Sequence, residues 1–150
     1  MNIFAIDPGP DKSAFVHWNK GKVIDHGHID NYEMRQLLIG REYDLVACEM
    51  VASYGMSVGA SVFNTCVWVG RFIEVAMKET VLCYRKDIKM FLCKTMRSKD
   101  KDIRQALLNL VGEQGTKDNQ GPTFGLKSHT WSALAVAVYA ENNLTKLNKK

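Results

Sequence analysis

The 150 residues, 46% hydrophobic and 24% charged, read as one soluble globular domain with a full hydrophobic core. No apolar run approaches the ~20 residues of a membrane-spanning helix, and MNIFAID lacks the basic start and apolar core of a signal peptide, so a cytosolic protein with no membrane partner is expected. The net charge of +4 is mild, and the four cysteines (Cys48, Cys66, Cys83 and Cys93) include no CxxC pair, which argues against zinc and for reduced, mostly buried thiols.

NIFAID is a short apolar run ending in an acid and predicts a buried strand, closed by a turn at Pro8, Gly9 and Pro10. SAFVHW alternates and predicts a second strand. NKGK is a hairpin turn, and KVIDHGHI predicts a third strand, completing an antiparallel meander. Residues 31–41 have helical spacing through Met34, Leu37 and Leu38. DLVACE then returns as a short apolar strand that ends in Glu49. Ser53, Gly55 and Gly59 mark a loop. Over 58–77, Val62, Cys66, Val69, Ile73 and Met77 recur at three- and four-residue steps, which predicts a long amphipathic helix. TVLCY predicts a fifth strand.

The remainder predicts helices. A short one covers 88–93, a longer one 99–111, and the last 127–144, whose centre ALAVAVYA is apolar nearly all round and should pack on the sheet. Residues 112–125 are rich in Gly, Asn and Asp and predict a mobile loop, while the tail TKLNKK should fray. The order β-β-β-α-β-α-β-α-α-α predicts a mixed five-stranded α/β sheet flanked by helices. If the fourth strand lies beside the first, away from the second, the strand order is 3-2-1-4-5. The first and fourth strands are then parallel neighbours ~4.8 Å apart. Ligands of open α/β sheets collect outside the carboxyl ends of such strands.

Asp7 and Glu49 each end one of those two strands, so both carboxylates reach one rim of the sheet. Like charges at that distance repel, and a hard divalent cation, Mg²⁺ or Mn²⁺, relieves the repulsion. The plainer alternative has Asp7 capping the Pro8–Gly9 turn and Glu49 pairing with a surface lysine. His129, at the start of the last helix, can reach the same rim if that helix crosses the sheet. Between Arg85 and Arg104 the chain carries Arg85, Lys86, Lys89, Lys94, Arg97, Lys99, Lys101 and Arg104 against three aspartates. Such a stretch is either a surface for a polyanion such as DNA or a solvated helical face.

Taken in order, IDPGP resembles the first catalytic motif of the RuvC-type Holliday junction resolvases, and CEMVASYG resembles the second, a strand-terminal Glu before a DNA-contacting loop. RKDIKM with SKDKDIRQAL resembles the family's basic segment, and SHTWSALAVAVYA its C-terminal helical motif. The phrasing of EMVASYGM, FNTCVWVGRF and SHTWSALAVAVYA is similar to the compact RuvC-like proteins of bacteriophages. The resemblance covers nearly the whole chain.

It implies an RNase H-like fold, a homodimer, and paired incisions across a four-way DNA junction that leave 5′-phosphate and 3′-hydroxyl ends. It implies two metal ions, one activating a water and the other stabilising the leaving 3′ oxygen. Asp7 would bridge them, with Glu49 and His129 on either side. It also implies DNA contacts by Lys86, Lys89, Lys101 and Lys127, of which Lys89 and Lys101 match basic positions of the family. Two departures stand out. The family has Asp three residues after the position of His129, and here that residue is Ser132. Three ligands suffice, or Asp118 substitutes from the loop, or the natural residue has been replaced. Many relatives also carry an aromatic where this chain has Ala52, and Tyr54 offers the stacking ring instead, unless it is a packed loop anchor.

Other readings remain at this stage. One is a nuclease of the same fold that cuts flaps, forks or RNA–DNA hybrids. Another is a junction-binding module with weak or no catalysis. An actin-like ATPase also opens with IDPG, but 150 residues are too few for two nucleotide-clamping lobes.

Overall fold

In the computed structural model, which describes residues 1–147, the elements follow as β1 (Asn2–Asp7), β2 (Lys12–Asn19), β3 (Lys22–Asp30), α1 (Asn31–Gly40), β4 (Leu45–Met50), α2 (Ala60–Ala76), β5 (Glu79–Tyr84), α3 (Arg85–Cys93), α4 (Asp100–Val111) and α5 (His129–Leu147). The sheet order is β3-β2-β1-β4-β5. β1, β2 and β3 pair antiparallel, and β1, β4 and β5 pair parallel. This is the RNase H-like α/β arrangement that the element order predicts. The meander closes where Lys20 and Gly21 take φ of 48° and 82°, the two left-handed positions of a tight hairpin.

Strand alternation splits the apolar residues between two cores. Phe4, Ile6, Val46 and Cys48 point to the face covered by α1 and α2, where Phe4 stacks on Phe15 at 5.2 Å. Ile3, Ala5, Leu45 and Ala47 point to the face covered by α5. That helix is buried from Ala133 through Ala137, because the sheet lies on one side and α3 and α4 on the other. Its alanines let the backbone lie close to the strands, as the apolar centre of the sequence predicts.

The structure differs from expectation in three places. The helix over 58–77 forms as α2, but its buried stripe is Thr65, Trp68, Val69, Phe72 and Ala76. Met77 is instead its left-handed C-cap and 88% exposed. Trp68 and Phe72, outside that expected stripe, lie in the core, and Trp68 meets Tyr32 edge-on at 4.9 Å. Large aromatics have the most apolar area to remove from water, so they set the rotation of the helix. Phe63 and Val67 are left exposed.

Residues 112–125 are not a loose loop. Gly121 N donates to Gln114 O at 2.8 Å, Thr116 and Asn119 bond each other, and the buried Thr123 hydroxyl donates to Gly112 O. A side chain at Gly121 would collide with Glu113 O, 2.0 Å from the Cβ position. The glycines therefore close a compact turn rather than confer mobility. Finally, α5 begins at His129, since Ser128 has φ of 44° and a Lys127–Thr130 turn precedes the helix. The helix continues through Thr145 and Lys146, where fraying was expected, and 148–150 lie outside the described residues.

Candidate active site

Register brings the two acids together. Ile6 of β1 pairs with Cys48 of β4, and the next step along both parallel strands puts Asp7 beside Glu49. By alternation both continue the row of Ile3, Ala5, Leu45 and Ala47, on the α5 side, just where that core ends. The first residue of α5 is His129, and its Nδ1 lies 2.9 Å from Oδ2 of Asp7. The three residues named from the sequence thus share one end of the sheet.

The turn after Asp7 is held by a buried polar network. Gly9 N donates to the Ser13 hydroxyl, which donates to Asn31 Oδ1 at 2.6 Å, and Asn31 Nδ2 donates back to Gly9 O at 2.9 Å. A Cβ on Gly9 would stand 2.3 Å from Lys12 O, so the close approach admits only glycine there. The network pins the chain immediately beyond the acid.

Both acids are mostly buried, with side chains 15% and 14% exposed. Burial, then the charge of Asp7, pushes the Glu49 carboxyl up to about 7, against the opposing pull of Arg85. Burial raises Asp7 as well, with His129 opposing. The oxygens of Glu49 fare differently. Oε1 is 3.6 Å from Arg85 Nη1, while Oε2 is buried and has no hydrogen-bond partner. A buried acceptor without a donor is costly, and in an acid pair it is the kind of atom a cation satisfies.

Among the described residues no three His, Cys, Asp or Glu side chains are already arranged as a metal-ligand cluster. The donors that converge are two carboxylates and one imidazole, and their chemistry fits a hard divalent ion of the Mg²⁺ or Mn²⁺ kind.

Three clefts meet at Asp7. One of about 720 Å³ is lined by Glu49, Tyr54, Arg85, Lys86 and Lys89. A second contains Arg85, Lys101, Arg104, His129 and Ser132. The third runs past His28, whose ring sits 5.3 Å from that of His129. Tyr54 has φ of 49°, is 62% exposed, and carries the Lys86 ammonium 5.9 Å from its ring. It is therefore no packed anchor. Lys127 is exposed but lines none of these three clefts. Asp118 is exposed at the tip of the 112–125 turn and lines none of them either.

Sequence reasoning missed Ser13, Asn31, His28 and the place of Arg85 at the centre. Arg85 had a usable signal, because it directly follows the apolar β5 as the acids end β1 and β4. The others become visible only through contacts across the fold.

No protein-family model matches the chain, and no curated protein matches it. Among solved structures, the chain is similar to Thermus thermophilus RuvC, with a TM-score of 0.70 and 15% identity over 93% of this chain and 92% of that one. It is also similar to T. thermophilus RuvC in complex with Holliday junction substrate, with a TM-score of 0.72 and 14% identity over 93% and 92% of the two chains. At such identities the likeness is one of fold. The chain has the fold of the RuvC/RNase H-like nucleases. Among the described residues no helix is long and apolar enough to cross a membrane.

Proposed function

We propose that this chain is a divalent-metal-dependent endonuclease of branched DNA, acting on four-way junctions by paired nicks that leave 5′-phosphate and 3′-hydroxyl ends. The observation that carries this reading is the buried Asp7–Glu49 pair, with an unpartnered Glu49 Oε2, at the open end of a RuvC-like sheet. Asp7, Glu49 and His129 hold two Mg²⁺ or Mn²⁺ ions. When bound, the ions supply an activated water and charge stabilisation for in-line displacement at phosphorus. Lys86 and Lys89 on one side and Lys101 on the other take the phosphates flanking the cut, with Lys127 farther out. The Tyr54 ring stacks on an unpaired base at the branch.

The working species is a homodimer, since a junction has near two-fold symmetry and paired nicks need two centres. Phe63 and Val67, exposed on α2, are available for that contact.

Ser132 favours a second reading. It lines the cleft beside His129 where a carboxylate would complete the ligand set, which suits a junction-binding module with little catalysis. One experiment separates the two. Asp7→Asn and Glu49→Gln are assayed beside the parent chain on four-way junctions, forks, flaps and RNA–DNA hybrids. Loss of cleavage with retained binding in both variants supports the nuclease. A parent chain that binds junctions and cuts nothing in either Mg²⁺ or Mn²⁺ leaves the binding module, and preferential cutting of another substrate reassigns the nuclease.

A further inference from the structure

Arg85 opens α3 directly after β5 and forms part of the wall shared by the two basic clefts. Its guanidinium has two acidic partners. Nη1 is 3.6 Å from Glu49 Oε1, and Nη2 pairs with Asp100 in the first turn of α4. We infer that Arg85 is the built-in counterion of the acid pair: it neutralises Glu49 while no divalent ion is bound, releases it when the ion arrives, and then turns to a DNA phosphate. This rests on the nuclease reading above.

Five physical points carry the inference. Two buried carboxylates this close can both be ionised only beside a positive charge, and guanidinium cannot lose its proton to escape the role. The Glu49 contact is longer than a hydrogen bond, so it is an electrostatic contact without directional strength. The Arg85 side chain is 36% exposed, and a contact so open to solvent is readily exchanged. A divalent ion on Glu49 would repel the guanidinium, whose planar fork suits a phosphate as well as a carboxylate. Asp100 is 86% exposed and can follow that movement or release it.

The test is Mn²⁺ binding to metal-free protein without DNA, read from the spin-resonance signal of the free ion. It is run at pH 8.5, so that proton competition for the acids is small. Arg85→Gln should bind Mn²⁺ roughly threefold to tenfold tighter than the parent, because a competing charge of exposed-pair strength is gone. Arg85→Lys keeps the charge and should stay near the parent. Junction affinity should fall less with Arg85→Gln in EDTA, where Arg85 is engaged with Glu49, than in Ca²⁺. In Ca²⁺ it should fall, with a salt slope about one unit flatter. If the parent binds Mn²⁺ through Glu49 and Arg85→Gln binds no tighter, or Arg85→Lys binds as tightly as Arg85→Gln, the counterion role is overturned while the nuclease reading stands. If Glu49→Gln leaves Mn²⁺ binding untouched, both fall.

Discussion

Glu49→Gln should stabilise the metal-free protein in alkaline buffer and not in acid. The Glu49 carboxyl stands at about 7 in the folded chain against 4.5 for the free group. The folded chain therefore holds its proton more tightly than the unfolded chain does. Between those two values the folded state binds more protons, so stability falls as pH rises through the window. Once the group is ionised the loss comes to about 3 kcal/mol. Glutamine removes that loss, which already includes the opposing pull of Arg85, and roughly 2 kcal/mol of it falls between pH 5 and pH 8.5, since at pH 5 the unfolded carboxyl is already mostly ionised.

A net gain of about 2 kcal/mol corresponds to a Tm change of roughly 4–8 °C in a domain of this size. The assay is thermal unfolding in EDTA at pH 5 and pH 8.5. The quantity of interest is the difference between the two, which cancels any fixed cost of burying an amide. Saturating Mn²⁺ should reverse the ranking, because an ion at a hundred times its Kd stabilises the parent by about 2.7 kcal/mol and has lost a ligand in the variant. A Tm difference that is the same at both pH values would refute the reasoning, since Glu49 would then be an ordinary structural side chain.

Four further outcomes are expected. The parent should cut better in Mn²⁺ than in Mg²⁺ at equal concentration, since Mn²⁺ accepts imidazole more readily. Ser132→Asp, one turn beyond His129 and in the same cleft, should lower the Mg²⁺ needed for half-maximal cleavage of a four-way junction; an unchanged or higher requirement would mean that this side chain does not face the ions. Lys89→Ala and Lys101→Ala should each weaken junction binding and flatten the salt slope by about one unit, and unchanged slopes for both would remove this segment from the DNA surface. Asn31→Ala strips the buried network behind Asp7 and should cost about 1–3 kcal/mol of stability in chemical denaturation. It should also weaken Mn²⁺ binding, whereas full stability would show that the turn is held by other means.

The sheet and the acid pair were legible in the sequence because strand faces alternate with a period of two. Ile3, Ala5 and Asp7 must share a side, as must Leu45, Ala47 and Glu49, and two short apolar runs each ending in an acid align those acids once the strands pair in parallel. The rotation of α2 was not legible. Its sequence is apolar on most sides, so a stripe through Val62, Cys66, Val69 and Ile73 satisfies helical spacing as well as the stripe through Thr65, Trp68, Phe72 and Ala76. Only the presence of α1 and the strand residues around Phe15 chose the second. The 112–125 turn misled for a related reason, because glycine permits both looseness and close backbone approach, and the choice depends on what lies within bonding distance. Asn31 behind Gly9, His28 beside His129 and Arg85 against Glu49 and Asp100 join residues on different elements. A one-dimensional pattern records which face a residue takes, but not which distant side chain meets it there. That is decided when packing fixes the separation and angle of the elements, and with them the charges and donors around each acid.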